Sequence, residues 1–508
     1  MAKKQLRLLL FNEHHMNSNT TPLIRCLLLS CVFSSPLSWS QDTDTQFRIE
    51  QRDALSAQNK EQAILEEENQ REANSQKPAQ TGYQIDTNDV NQVAKALHLA
   101  VRYRQWVQAS QLLEIYRQFE QPDPLLLKYA DGAISRAKGD LEHAQLAFED
   151  ALALQPNFMP AQLELARVLF ESNQNRDALN LFNQIKSKIP SQNPRAAGVI
   201  RTIDSFTQAL IARDSWNGSV AIGGSFNDNL NSSSESYTCL VTSNTGQCLF
   251  DRVTPKKEKA YGIDFEASIN KRFSLSRHHG IHLQGLTYGT NYGNNSDYNE
   301  HTSRIGFGYS FHDRLNKVSI GPSFELSRYA NSSVYFSSGV KLDWLRTTSQ
   351  NSALKFEFKA DYQDYIPSVL SYQTDWQLAS YLTYWYQFNH DLLLFGGIDW
   401  TGKQNKEQVH AYELYGGKIG LNSDVIPWVD LTFFGSFRHR DYQGFNSILS
   451  ETRRDKEQNY ALSASLKDIK LFGVTPSLVW NHKRIKSNVD WLYTYQQNEI
   501  TIKFTRRF

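Results

Sequence analysis

The stretch "ALKFEFKADY", Ala353 to Tyr362, alternates almost without error. Leu354, Phe356, Phe358, Ala360 and Tyr362 fall on one parity, and Lys355, Glu357, Lys359 and Asp361 on the other. Successive side chains of a strand point to opposite faces, so this is a strand with one apolar face and one charged face. A half-buried strand of a soluble sheet carries the same pattern, so the surrounding chain has to decide between a protein core and lipid. The period of two begins at Trp216 and persists to Phe508, with fourteen strand candidates, an even number. In "YGIDFEASIN", Tyr261, Ile263, Phe265, Ala267 and Ile269 oppose Asp264, Glu266, Ser268 and Asn270. Such staves run about 10–14 residues, enough to cross a bilayer at a tilt, whereas strands of soluble sheets usually have about 5–6. Short turns such as 312–315 and 387–391 alternate with longer loops at 227–259, 402–409 and 441–456. That asymmetry is the pattern of an outer-membrane barrel. The apolar face of the quoted stretch therefore meets lipid, and its charged face is expected to line a wet interior. Asp264, Glu266, Arg304, Lys341, Asp343 and Arg438 continue the inward rows, whose mixed sign argues against a strongly ion-selective pore. Trp344, Tyr384, Trp428, Trp480 and Tyr493 sit toward strand ends, as interfacial girdles do. The chain closes on "ITIKFTRRF", in which Ile500, Ile502, Phe504 and Phe508 share a face. Phe504 and the terminal Phe508 read as the signal that barrel-assembly machinery recognises.

Bulk properties agree with this reading. The 508 residues carry a net charge of +1, which gives no argument for nucleic acid. Mean hydropathy is −0.53, and no apolar run reaches the length of a helical span. Half-polar barrel strands leave only a weak hydropathy signal. Near the N-terminus, Arg25, a short apolar core and Ser38-Trp39-Ser40 read as a secretory signal over residues 1–40, with Met16 as an alternative start. Cys26 and Cys31 fall inside it. Cys239 and Cys248 remain, both in the longest loop, and in an oxidising compartment they are expected to pair. Closing that loop is worth roughly 2–3 kcal/mol by chain entropy.

Residues 41–87 are rich in Gln, Glu and Asn and read as a solvated polar linker or a loose helix. Residues 88–212 carry helical periodicity and repeat. Ala144 and Ala178, Phe148 and Phe182, and Pro156 and Pro190 are each 34 residues apart. This resembles the tetratricopeptide repeat (TPR), with small residues where helices cross and a proline ending the second helix. First helices of such repeats line a concave face. By register that puts Tyr129, Arg136, Arg167, Phe170 and Glu171 on a groove suited to a polypeptide client. The rival reading is that these residues dock the stack onto the barrel rim. Other motifs carry no chemistry. "GIDWTGKQ", Gly397 to Gln404, misses a phosphate-binding loop at Gln404 and has no following helix. His278 and His279 lack companions at metal-ligand spacing. No catalytic residue, metal or cofactor is expected.

The expected fold is a short α-helical TPR solenoid followed by a 14-stranded antiparallel transmembrane β-barrel, over residues 213–508. A signal, a short TPR stack and such a barrel ending in Phe-Thr-Arg-Arg-Phe together resemble the Slam family, the surface lipoprotein assembly modulators. "SWNGSVAIGGSFNDNLN", Ser215 to Asn231, is similar to the segment that opens that family's barrel. The resemblance implies an outer-membrane translocon, not an enzyme, that delivers particular lipoproteins or related haem- and metal-acquisition proteins to the cell surface. It implies as partners a client lipoprotein or haemophore-like protein, periplasmic chaperones, the barrel-assembly machinery and outer-membrane lipid, with the TPR domain in the periplasm. The long first loop with its cysteine pair departs from the family pattern and leaves client choice open. The alternatives are a TPR-coupled exopolysaccharide exporter or a porin.

Overall fold

The computed structural model describes residues 44–51, 64–65, 86–190, 196–467, 469 and 473–508. The expected signal at 1–40 lies outside the described residues.

Among the described residues, seven helices between 90 and 213 lead into the barrel: α1 (Val90–Arg102), α2 (Trp106–Tyr116), α3 (Pro124–Lys138), α4 (Leu141–Leu154), α5 (Met159–Glu171), α6 (Asn175–Lys188) and α7 (Ala197–Arg213). Their ends are written in the sequence. Asp89 caps α1 by accepting from the amides of Asn91 and Gln92, and Asp123 caps α3, which opens on Pro124. Helix α3 stops at Gly139, whose φ of 83° is left-handed. Thirty-four residues on, Asn173 takes the same conformation, with φ 62°, after α5; a short amide side chain tolerates that region best among residues with a Cβ. The repeat positions Ala144, Phe148, Ala178 and Phe182 are all fully buried. A Cβ at Gly132 would sit 2.8 Å from the Phe148 ring, so α3 and α4 cross too closely for any larger residue. Helix α7 ends the stack, its Phe206 lying parallel to Phe182 with ring centroids 5.4 Å apart.

After α7 the chain enters a closed antiparallel barrel. Its strands are β1 (Asn217–Asn227), β4 (Ala260–Ser274), β5 (His279–Asn291), β6 (Glu300–His312), β7 (Asn316–Tyr329), β8 (Ser332–Ser349), β9 (Ser352–Tyr365), β10 (Asp375–Asn389), β11 (Leu392–Lys403), β12 (Tyr412–Ser423), β13 (Val429–Tyr442), β14 (Arg454–Leu466), β15 (Thr475–Ser487) and β16 (Tyr495–Arg507). Each pairs with its sequence neighbours, and β1 closes the ring on β16. The fourteen strands match the expected number. In β9, Phe358 lies between Leu342 and Ser380, and Glu357 between Asp343 and Tyr381. Glu357, Lys359 and Asp361 are buried inside the barrel. The other face stays exposed around the ring, through Ile263, Ile305, Phe307, Val340, Leu382, Ile398, Ile419, Leu462, Ile500 and Ile502. A closed sheet whose outer face is an apolar belt is built for hydrocarbon, where a barrel leaves no backbone group unpaired. No helix among the described residues is long and apolar enough to cross a membrane.

Two details depart from the strand reading. The loop after β1 contains a hairpin of its own, β2 (Tyr237–Thr242) with β3 (Cys248–Val253), set apart from the barrel sheet. Residues Trp491 to Tyr493, expected to open a last strand over 491–508, belong instead to a short helix, Asp490–Tyr493. There the Thr494 amide bonds back to the Asp490 carbonyl and turns the chain from β15 into β16.

Candidate functional site

The inside of the barrel is occupied. Residues 44–51, within the stretch expected as a polar linker, form a helix in the lumen, which corrects the solvated reading for this segment. Asp44 lies buried against β13 and β14. Its carboxylate accepts from Arg438 at 2.7 and 2.9 Å, from Ser436 Oγ at 2.7 Å and from Asn459 Nδ2 at 3.1 Å. One turn on, Phe47 enters a cleft of Trp385, Phe395 and Phe434. The Lys418 ammonium sits 3.6 Å from the centre of that ring, within cation–π range. Glu50, a further turn along, meets Lys341 at 3.4 Å and Lys355 at 3.5 Å and accepts from Gln284 at 3.1 Å. Gln46 accepts from Arg304 at 2.6 Å and Lys359 at 3.2 Å, Arg48 donates to Asn481 at 2.9 Å, and Ile49 packs on Leu286 and Tyr288. The helix is thus held by strands on every side, from β5 round to β15.

The mixed-sign rows pair with one another as well as with the helix. Lys355 lies 2.8 Å from Glu357, and Lys341 lies 3.3 Å from Asp343. Lys503 bridges Asp264 at 2.8 Å and Glu266 at 3.2 Å, Arg440 meets Glu457 at 2.7 Å, and Arg304 pairs with Glu325. The polarity of the inner face is as expected, but its wetness is not. Glu357 is only 7 % exposed and Arg438 4 %. A ring of this size leaves room for one helix, and with the helix seated the long charged side chains close over the remaining space. Charges so far from water are tolerable only when each has a partner.

In the repeat domain, Arg136 is the hub. It donates to Glu171 from Nε at 2.9 Å and to Glu164 at 2.9 Å, and Glu164 also meets Arg167 at 3.3 Å. Tyr129 packs its ring against Phe148 and Phe158. Burial, with the Glu164 carboxylate beside it, pushes its phenol up to about 12, so it remains a hydroxyl at any physiological pH. Of the expected groove residues, Tyr129 and Arg136 lie on α3, and Arg167 and Glu171 on α5. Phe170 departs from the expectation of an open groove position. It is buried under α7, with its ring 4.8 Å from Phe206, and Arg213 stacks on it at 3.9 Å. Register along α5 predicts a face but not the helix that comes to cover it.

The repeat stack touches the barrel through other residues, which the sequence reading missed. The Asn173 side-chain amide donates to the Asp313 carbonyl at 2.7 Å, and Arg314 donates to the Gly139 carbonyl at 2.5 Å. Asp177 accepts from the backbone amide of Arg277 at 2.6 Å. The two left-handed turns of successive repeats therefore grip one short barrel turn, between β6 and β7. Their common spacing of 34 was visible in the sequence; their partner was not.

At the opposite end, Cys239 and Cys248 are bonded to each other, with Cα atoms 5.7 Å apart, across the β2–β3 hairpin. The loop reaches over to the segment before β16. Ser236 donates to the Trp491 carbonyl at 2.7 Å, and Arg252 lies over the Trp491 ring at 3.7 Å. The β1–β16 seam is tied at both ends. Asp228 accepts from the Asn498 backbone and side-chain amides at 2.7 and 2.8 Å, and Gly218 and Phe508 exchange both backbone hydrogen bonds. Phe504 and Phe508 sit exposed on the outer face of β16 and the residue after it. Among the described residues, no group of three or more His, Cys, Asp or Glu is arranged to hold a metal ion.

Comparison with known proteins follows this division of the chain. A family model described as "Surface lipoprotein assembly modifier" matches residues 216–508, and one described as "Surface lipoprotein assembly modifier, N-terminal TPR repeats" matches residues 83–182. The chain is 34% identical to the hemophilin secretion modulator of Acinetobacter baumannii, over 96% of this chain and 99% of that protein. It is 24% identical to a surface lipoprotein assembly modifier of Pasteurella multocida, over 78% of this chain and 79% of that one. Among solved structures, a Pseudomonas aeruginosa FadL homologue aligns with a TM-score of 0.34 and 9% identity, over 59% of this chain and 91% of the other. A helical repeat stack joined to a fourteen-stranded barrel, matched in both parts by one family, makes this chain an outer-membrane β-barrel protein that belongs to the surface lipoprotein assembly modifiers.

Proposed function

We propose that this protein is a translocon that carries a client protein, a lipoprotein or a small haem-binding protein, from the periplasm to the cell surface, without catalytic chemistry of its own. The observation that carries this reading is the docking of the repeat stack on the short-turn rim of the barrel through Asn173, Asp177 and Gly139. A peptide-holding module fixed at one end of a transmembrane barrel is suited to handing an extended chain to that barrel. With that rim in the periplasm, the β2–β3 hairpin and its disulfide face the outside. Arg136, Arg167, Glu171 and Tyr129 offer charged and aromatic groups on the repeat domain for the client, and Phe170 supports them from beneath. Periplasmic chaperones deliver the client, and the barrel-assembly machinery inserts the barrel, reading Phe504 and Phe508. The identity with a hemophilin secretion modulator over nearly the full length of both chains supports a haem-binding client.

The test is co-expression in a Gram-negative host that lacks this chain. Small haem-binding and lipoprotein genes adjacent to its own are expressed with and without it. Surface display or release of one of them only with the chain supports the proposal. No change for any of them, with the barrel inserted at normal amount, refutes it.

A further inference from the structure

We propose that residues 44–51 are a resident plug: a self-ligand of a peptide-binding site inside the barrel, which closes the lumen and has to leave before a client chain can pass. The proposal deepens the translocon reading and rests on it. Three features of the lumen define the ligand. Arg438, Ser436 and Asn459 form a pocket for one carboxylate. Trp385, Phe395, Phe434 and Lys418 form a cleft for one aromatic ring. Lys341 and Lys355 hold a second carboxylate on the far wall. Along a helix, residues three apart share a face, so Asp44, Phe47 and Glu50 fall on one stripe and meet these three places in turn. The site therefore takes a short helix bearing acid, aromatic and acid at spacings of three. An interior closed by a helix is a known barrel arrangement, in contrast to an open porin.

The contacts are suited to release. Away from the Phe47 cleft and the small patch under Ile49, the helix is held by ion pairs and hydrogen bonds. The wall cations keep acidic neighbours of their own when it leaves. Arg438 retains Asp399 at 2.7 Å, Lys355 retains Glu357 at 2.8 Å, and Arg304 retains Glu325. The emptied lumen is thus still a paired polar wall, not a row of isolated charges. A client segment that presents acidic and aromatic groups at the same spacing would compete for the same places.

Two measurements test this on the full-length chain. In the first, the purified protein is reconstituted in planar bilayers, and wild type is compared with the triple variant Asp44→Asn, Phe47→Ala, Glu50→Gln. Barrel integrity is checked by heat-modifiable migration. The expected result is a low conductance for wild type and a several-fold rise for the variant; equal conductance of two intact barrels overturns the plug. In the second, Asp44→Cys with Ser436→Cys, whose native side chains meet at 2.7 Å, locks the helix in place. Oxidised cells should lose client display at normal barrel amount and regain it on reduction, with wild type and each single cysteine variant as controls. Unchanged display with the lock formed overturns release and sends the client by another path, such as the β1–β16 seam. The conductance arm needs no client. A conductance rise together with no client displayed by wild type would therefore overturn the translocon reading and leave the closed lumen standing.

Discussion

Arg438 holds the carboxylate of Asp44 with both terminal nitrogens, at 2.7 and 2.9 Å, across 394 residues of sequence. The same guanidinium is shared with Asp399, at 2.7 Å from Nε and 3.0 Å from Nη2. Arg438→Met would leave two buried carboxylates, Asp44 and Asp399, without the guanidinium they share. The expected loss is about 3–5 kcal/mol of barrel stability, the usual consequence of breaking a buried pair from one side. Asp44→Asn should lose much less, because Asp399 still satisfies Arg438. The midpoints of heat-modifiable migration for the two variants measure the difference; equal midpoints would place Asp44 outside the lumen.

Strand β9 separates lipid from lumen one residue at a time. Phe358→Arg puts a charge on the outer face near mid-strand and should cost about 2–4 kcal/mol. A wet lumen would make Glu357→Lys harmless. The packed lumen predicts otherwise, since Glu357 lies 2.8 Å from Lys355 and 3.9 Å from Lys341, and reversal would collect three ammonium groups. Denaturant unfolding in vesicles should find both variants destabilised, and Glu357→Gln only mildly so. A neutral Glu357→Lys would mean a lumen filled with water.

Reversing Arg136 and Arg167 to glutamate should remove client display, but it also strips Glu164 and Glu171 of their partners. After allowing for the partial exposure of Glu171, that is worth about 1–3 kcal/mol of repeat-domain stability. Adding Glu164→Arg and Glu171→Arg re-forms the pairs with reversed sign. The repeat domain should then melt as wild type while display stays lost. Display that returns together with stability would make these arginines structural and exclude them from client handling.

The Cys239–Cys248 bridge reports which end faces outward. Intact cells treated with a membrane-impermeant maleimide should label this chain only after reduction, and variants carrying Cys239→Ser and Cys248→Ser not at all. Labelling that requires outer-membrane permeabilisation would invert the topology.

What was legible in the sequence was local or periodic. The parity of Phe356 and Glu357 marks a face because strand side chains alternate at every step, and strand order is simple because each strand pairs with the next along the chain. The spacing from Gly139 to Asn173 marks repeated turns because the same supersecondary unit recurs. What was not legible depends on distant partners. Asp44, Phe47 and Glu50 sit in a polar stretch whose composition argues for solvent; only their spacing hints at a stripe, and the wall that receives it is spread from Gln284 to Asn481. Phe170 reads as a groove residue until α7 returns to cover it, and nothing within α5 records that return.

The central claim is that this protein moves a client to the cell surface, and surface shaving of intact cells measures it most directly. Cells with and without the chromosomal gene, and cells complemented with the full-length chain, are treated briefly with protease, and the released peptides are compared. The account predicts that one lipoprotein or small haem-binding protein disappears from the surface in the deletion, accumulates inside the cell, and returns on complementation. An unchanged set of surface proteins, with export of a polysaccharide stopped instead, would contradict it.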